Sequence, residues 1–513
     1  MKKLLLTILL ISSGLTGCAV NPVTGKNELS LVSETQELQI GKQNYAPMRQ
    51  AQGGDYIADK QLTAYVSEVG QKLASVSDRK LPYEFKVLNN SVPNAWALPG
   101  GKIALNRGLL TELASEAELA AVLGHEITHA AAKHSAKSMS RGVLIQGAVL
   151  AAVIGTQGTD YAQLTQMGAG IGSQMVTQKY GRDAERESDL YGMKYMAKAG
   201  YDPQGAVDLQ KTFVRLSEGK RQDWLSGLFA SHPPSQERVE NNIKIAAELP
   251  EGGKKGIDRF QSKTAHLKRT KPAYEAYDEG RKALSEGNSS KARSLAKEAI
   301  RIEPREGNFH ALLGDVEEKN NNPRKAKKYY NKAIKLNNDF FYYYLKRGLM
   351  NEELGVASSA KQDLEKSIEL LPTANAYNSL GNIAKRQGNY SQAKTYYAKA
   401  AGNDSSAGKA AYGSLVDLDL ADNPGKYLSL RTGLDSNGRL KAEVANPTPK
   451  DVRDLVITVQ FQDVSGRTRQ FNRTFSGTLR AGSKEVVDLG LYNLSKEQQR
   501  SLSTWLVGAK VAR

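Results

Sequence analysis

Hydrophobic and polar positions are patterned in three different ways along this 513-residue chain. From Glu34 to Tyr45 and from Asp59 to Val76, apolar residues return every three or four positions, the period of a helix with one buried face. Tyr83 to Leu88 then alternates every second position. The apolar runs Ala95 to Leu98 and Lys102 to Leu105 flank the turn Pro99-Gly100-Gly101, so a small sheet with a hairpin is predicted. Ser115-Glu116-Ala117-Glu118 has the spacing of a capping box and opens an apolar helix predicted to run from Leu119 past His134. Residues 142–178 are rich in Gly, Ala and Gln. The apolar stretch Gly142 to Gly155 within them is too short to span a bilayer and reads as a buried helix with a mobile segment. Helical spacing returns at Arg182 to Ala199 and at Asp202 to Ser217. Residues 28–252 thus form an α+β domain.

The second pattern is a repeat. After a basic stretch over 253–272 (Lys254, Lys255, Arg259, Lys263, Lys268, Arg269, Lys271), read as a solvated linker, Gly280, Gly314, Gly348 and Gly381 recur at spacings of 34, 34 and 33. Ala292, Ala326, Ala360 and Ala393 keep an offset of 12 from them; Ala299, Ala333, Ser367 and Ala400 form a further register, as do the turn prolines Pro304 and Pro372. Small residues at a period of 34 are the signature of tetratricopeptide repeats, whose helix pairs pack closely on the next, and about four of them fill residues 273–404. From about Lys426 the third pattern takes over: short alternating runs at Leu440 to Val444, Leu455 to Phe461, Thr468 to Phe475 and Glu485 to Leu489, divided by turn signals. These predict an all-β, sandwich-like domain over 426–513 with no chemistry of its own.

Composition changes this picture little. A hydrophobic fraction of 40% and a charged fraction of 24% are those of an ordinary globular protein, and the length calls for two or three domains. The net charge of +17 favours anionic surfaces, nucleic acid or acidic lipid. The N-terminus decides between them. Lys2 and Lys3, the apolar run Leu4 to Ile11 and the small-residue ending Leu15-Thr16-Gly17-Cys18 have the layout of an export signal, so the chain leaves the cytoplasm and nucleic acid is no partner. The ending resembles a bacterial lipobox, which implies acylation of Cys18, the single cysteine of the chain. Ala19 after it implies sorting to the periplasmic face of the outer membrane. Several acyl chains, at about 0.8 kcal/mol per buried methylene, would anchor the protein firmly, with Asn21 to Glu28 as a short tether.

The candidate chemistry lies inside the capped helix, where His125-Glu126-Ile127-Thr128-His129 places two of the six histidines at i and i+4. Residues so spaced are about 40° apart around the helix, so both imidazoles can share one metal ion, and Glu126 can reach a water on it without being a ligand. Zinc suits this donor set; a catalytic zinc takes three protein ligands and leaves a position for water. The third ligand must come from elsewhere.

With Glu185-Arg186-Glu187-Ser188-Asp189 downstream, the motif resembles the HtpX / CAAX-prenyl-protease family of gluzincins. The resemblance implies Glu185 as the third ligand to one zinc per chain, with Asp189 supporting the ligands from behind. Glu187 is the competitor, but it lies on the opposite side of the helix from Glu185, so only one of the two can face the metal. Asn94, Ala95, Trp96, Ala97 and Leu98 resemble the family's active-site edge strand, along which a substrate would add as an extended strand. His232-Pro233-Pro234 with Arg238 resembles its downstream segment over the metal. This implies that His232 is catalytic, as oxyanion donor or as a fourth ligand that latches the resting site. His134, well round a continuous helix from His129, is expected to face elsewhere, and His266 and His310 to be exposed.

The likeness covers roughly residues 30–245, and is nearest to periplasmic members that carry tetratricopeptide repeats and act in outer-membrane protein quality control. It implies an endopeptidase for misfolded or misassembled envelope proteins. Its repeats would hold a protein partner, with the outer-membrane assembly machinery as one candidate. A chaperone or assembly scaffold with a mostly latent site is the alternative.

Overall fold

A computed structural model of the chain describes residues 18–140, 180–218 and 232–512; the export signal expected up to residue 17 and the Gly-rich segment 142–178 lie outside them. Contacts divide the protein into two units, one up to Tyr343 and one from Tyr344 onward.

The first unit opens with a hairpin, β1 (Cys18–Val20) antiparallel to β2 (Asn27–Leu29). The expected tether is therefore an ordered turn, in which Asn21 Oδ1 accepts from the N–H groups of Val23 (2.9 Å) and Thr24 (3.3 Å). Helix α1 (Glu34–Ala51) starts at a capping box of Ser33 and Gln36, and α2 (Lys60–Ala74) at Asp59. The sheet has the order β3-β5-β4: β5 (Lys102–Asn106) is central, parallel to β3 (Glu84–Leu88) and antiparallel to β4 (Ala95–Leu98). Helix α3 (Glu116–Ala131) begins where Ser115 accepts from Glu118 N–H, while Glu118 reaches the N–H of Ala114 to complete the cap.

Helix α3 does not continue past His134. It ends at Ala131, Lys133 takes the left-handed conformation (φ 59°), and a new helical stretch starts at His134. That conformation costs a non-glycine residue roughly 1–2 kcal/mol, and it turns His134 back toward the face it was expected to leave. Helices α4 (Arg182–Lys198), α5 (Gln204–Glu218) and α6 (Gln236–Glu248) complete the domain around a core that includes Leu62, Val66, Phe85, Ile103, Leu123, Ile127, Met193 and Phe213.

The basic stretch is not a solvated linker. Most of it belongs to the 29-residue helix α7 (Ile257–Ser285), whose Phe260 and Leu267 are fully buried in the same core. Lys254 and Arg259 reach the fully buried Glu116 (3.0 Å each), and the Lys255 carbonyl accepts from Ala117 N–H (3.0 Å), so this stretch straps the start of α3. The strap also catches His266, expected to be exposed, 2.9 Å from Glu303. Beyond it, Tyr274 donates to Glu306 (2.9 Å) and lies under the Arg107 guanidinium, so the first repeat packs on the peptidase core.

The repeat helices follow in pairs: α7 with α8 (Ser289–Ile302), α9 (Gly307–Lys319) with α10 (Pro323–Leu336), α11 (Phe341–Glu353) with α12 (Ala357–Leu370), and α13 (Ala374–Arg386) with α14 (Tyr390–Ala401), before α15 (Ser406–Asp419). The registers read from the sequence are close approaches. A Cβ on Gly314 would lie 2.6 Å from the Tyr330 ring, on Gly348 2.8 Å from Leu364, and on Gly381 2.5 Å from the Tyr397 ring. Ala292, Ala326, Ala360 and Ala393 are all fully buried.

The second unit ends in two three-stranded antiparallel sheets. One joins β6 (Ser429–Leu434), β7 (Arg439–Ala445) and β10 (Lys484–Tyr492) in the order β10-β7-β6. The other joins β8 (Val452–Gln462), β9 (Thr468–Leu479) and β11 (Ser503–Val511) in the order β11-β8-β9. Leu440, Ala442 and Val444 of one and Leu455, Ile457 and Val459 of the other share a core. Among the described residues, no helix is long and apolar enough to cross a membrane.

Candidate metal centre

Helices α3 and α4 cross at glycines: a Cβ on Gly124 would lie 2.9 Å from the Gly192 carbonyl oxygen, and one on Gly192 would lie 2.9 Å from the His125 nitrogen. This approach sets the acidic first turns of α4 against the His125–His129 face of α3. His125 and His129 bring their Nε2 atoms to 3.0 Å of each other. Glu185 lies 3.6 Å from the first and 3.4 Å from the second. From the segment before α6, His232 Nδ1 comes to 2.9 Å of Glu185 Oε1 and 3.2 Å of His125 Nε2. One ligand atom from each of these four residues lies within 4.8 Å of the others.

The surrounding hydrogen bonds show why this cluster fits a cation. Asp189 Oδ1 sits 3.0 Å from His125 Nδ1, so that nitrogen carries the proton and Nε2 is left with its lone pair. His134, placed by the break in the helix, lies 2.9 Å from His129 Nδ1 with one nitrogen and 3.3 Å from Glu187 with the other. Glu187 fixes the proton on His134 Nε2, His134 Nδ1 accepts from His129, and His129 Nε2 also turns a lone pair inward. Two lone pairs facing each other at 3.0 Å repel, and a shared proton or a metal ion between them relieves that repulsion. Three imidazoles and a carboxylate are zinc ligands, and carboxylate-oriented histidines are the usual support of such an ion.

The charges agree. Burial alone would raise the Glu185 carboxyl, but the neighbouring His232 and His125 hold it well below the usual carboxylate range. Burial pushes His129 well down, so it is neutral as a ligand must be. For Asp189, burial is outweighed by Arg238 and His125, which keep it ionised. Burial raises Glu126, against the pull of His232 and His125, as suits a group that takes and returns a proton. Its Oε2 is buried without a hydrogen-bond partner. Beside it, a cavity of about 30 Å³, lined in part by Gln210 and Asn242, is large enough to hold water.

Arg238 binds Asp189 through two nitrogens (2.8 and 2.7 Å) and lies 2.9 Å from Glu185, tying both carboxylates to α6. Strand β4 is at the sheet edge, but Asn94 and the strand residues after it are only 0–8% exposed, so an added strand requires that its cover move. Three residues near the metal ligands escaped the sequence reading. A straight helix projects His134 away from the site, and the break at Lys133 brings it back. Glu187 reads from the sequence only as a rival ligand, whereas it supports His134. Tyr180, whose ring stacks on His129 with centroids 4.0 Å apart and whose hydroxyl meets Ser135 (2.9 Å), carries no motif.

A histidine pair and a carboxylate converging on one point, with a buried glutamate between the histidines, define the class: this is a metalloprotease fold and site. The profile of peptidase family M48 matches residues 60–245, and that of the tetratricopeptide repeat matches 308–340 and 374–406. Metalloprotease YcaL of Escherichia coli is 30% identical over 256 residues, covering 47% of this chain and 95% of that protein. A putative beta-barrel assembly-enhancing protease of Vibrio cholerae is 31% identical over 201 residues, 38% of this chain and 41% of that protein. The beta-barrel assembly-enhancing protease of Escherichia coli is 29% identical over 240 residues, 44% of this chain and 47% of that one. The chain belongs to peptidase family M48. It spans nearly all of YcaL and under half the length of the two assembly-enhancing proteases.

Proposed function

We propose that the protein is a zinc metalloendopeptidase of the bacterial cell envelope, anchored through an acylated Cys18 to the periplasmic face of the outer membrane, which cleaves misfolded or misassembled outer-membrane proteins. The observation that carries this reading is the convergence of His125, His129 and Glu185 with Glu126 buried beside them. Relatives named for beta-barrel assembly support the choice of substrate, and the repeats supply a surface for a protein partner.

His125, His129 and Glu185 would hold the metal. Bound there, zinc supplies Lewis acidity, polarising a peptide carbonyl and lowering the pKa of a water. Glu126 takes the proton from the attacking water and returns it to the leaving amine. Asp189 fixes the His125 tautomer, and Arg238 holds Asp189 and Glu185 in place. His232 latches the site: its Nδ1 stands among the ligand atoms, and its Nε2 is 3.6 Å from Glu126 Oε1. Once displaced, the same imidazole can donate to the oxyanion that develops as water attacks.

One observation favours the second reading, a chaperone or assembly scaffold with a latent site: His232 and the buried edge strand both close the site. Comparing wild type with Glu126→Gln in cells separates the two. The inactive form should trap uncleaved envelope proteins and lose the wild-type phenotype; a fully retained phenotype would leave the scaffold. Cys18→Ala should abolish palmitate labelling, and labelling that persists would remove the anchor from the proposal.

A further inference from the structure

The hairpin that follows Cys18 reaches the metal centre. Asn21, 2% exposed, donates from Nδ2 to Glu187 Oε1 at 3.0 Å, the same oxygen that lies 3.3 Å from His134 Nε2. His134 in turn accepts from His129 Nδ1 at 2.9 Å, so four residues form one chain from the N-terminal turn to a candidate ligand. The hairpin and the residues just after it are held at two further points: Glu28 pairs with Lys137, and Leu31 N–H donates to Ser140 Oγ at 2.9 Å. His134, Lys137 and Ser140 all lie on the helical stretch beyond the left-handed Lys133, a backbone joint that α3 itself does not fix.

We propose that this hairpin is a working part of the metal centre: seated on the stretch after Lys133, it holds Glu187 through Asn21, and Glu187 and His134 hold His129 in the tautomer and orientation that bind the metal. The inference rests on the reading of the cluster as a zinc site. Asn21, Glu187 and His134 are positioning residues. Asn21 is needed because Glu187 is only partly buried, and a carboxylate free to swing into water would release His134. Loss of such an outer partner typically weakens metal affinity by about 10–100-fold. Asn21 lies three positions after Cys18, a reach of roughly 10 Å. A group attached to Cys18 would therefore be joined to this support directly, without a slack linker.

The test is zinc affinity of the full chain by chelator competition, with the visible spectrum of the cobalt-loaded protein as a second reading. Asn21→Ala and Glu187→Gln should each weaken zinc about 10-fold or more and shift the cobalt bands, while thermal unfolding of the metal-free forms stays near wild type. Asn21→Asp discriminates best. It keeps the shape but replaces the donor with a charge that repels Glu187, so it should weaken zinc at least as much as alanine; a packing role would leave it near wild type. If a variant at Asn21 fails to fold, Ser140→Ala loosens the same region without touching the chain of contacts and should weaken zinc to a smaller extent. Variants that bind zinc like wild type, with unshifted cobalt bands, would overturn the inference alone. A wild type that binds no zinc would overturn the reading of the site with it.

Discussion

Two helix crossings in this protein are closed by glycine, and they are built for different ends. In the peptidase domain, Gly124 and Gly192 bring backbone against backbone; in the repeats, Gly314 admits the ring of Tyr330. Around the first lie Glu126, His129, Glu185, Asp189 and Arg238, all ionisable and all at most 8% exposed. At the second, the Tyr330 ring fills the space that Gly314 leaves, and its hydroxyl donates to Asp315 (2.8 Å) and Glu318 (2.9 Å). A buried charge is tolerable only when paired, so the peptidase crossing depends on each neighbour being present, and it keeps that arrangement because the site needs it. The repeat crossing is a packing contact between a glycine and a ring, with the ring's hydroxyl tied to two carboxylates and none of the candidate metal ligands in it.

The strongest way to break the contrast is to remove one partner of the buried charge cluster. Arg238→Met keeps much of the apolar stem but leaves Asp189 and Glu185 without their cation, and breaking a buried pair in this way costs about 3–5 kcal/mol. Chemical denaturation of the metal-free protein should show that loss in the transition that includes the peptidase domain. A loss below about 1 kcal/mol would mean that the charges are solvated and the comparison is mistaken.

Next in size, the two glycines can be set against each other. Gly314→Ala forces the Tyr330 ring aside and should cost about 1–3 kcal/mol, with peptidase activity unchanged. Gly124→Ala pushes on backbone next to His125, so activity should fall well beyond what the loss of folded protein explains. Equal effects of both on activity would refute the distinction.

The same contrast explains what was legible in the sequence. The repeats were read almost residue by residue, because a period of 34 fixes which small side chains meet, and the glycines and alanines of the registers are the buried ones. Within the site, His125, Glu126 and His129 follow from helix geometry, and Glu185, Asp189, His232 and Arg238 from a family resemblance. His134 and Asn21 could be read from neither. The bend at Lys133 that redirects His134 is a backbone conformation with no glycine to announce it, and Asn21 meets Glu187 across 166 positions. The basic stretch misled for a related reason: Lys254 and Arg259 look like solvated charge until Glu116 is found buried beneath them. In the β domain, strands β6 and β11 lack the clean alternation of their neighbours and went unread.

The smallest effect tests that strap. Glu116 is fully buried, and burial would raise its carboxyl, but Lys254, Tyr65 and Arg259 around it bring it below the usual 4.5. A carboxyl lowered on folding stabilises the native state fully at pH values above its unfolded pKa near 4.5, and the contribution fades as pH falls through the lower folded value. Lys254 and Arg259 are partly exposed, so water screens the pair and the contribution is on the order of 1 kcal/mol. Glu116→Gln should therefore lower stability modestly at pH 7, and the gap from wild type should narrow as pH drops below 4.5. Lys254→Met should show the same pH dependence with a smaller amplitude, since Arg259 still pairs with the carboxylate. A gap that stays constant from pH 7 to pH 3 would mean that the carboxylate charge contributes nothing. The strap would then be held by Phe260 and Leu267 alone, and the beginning of α7 would be a packing element like the repeat helices that follow it.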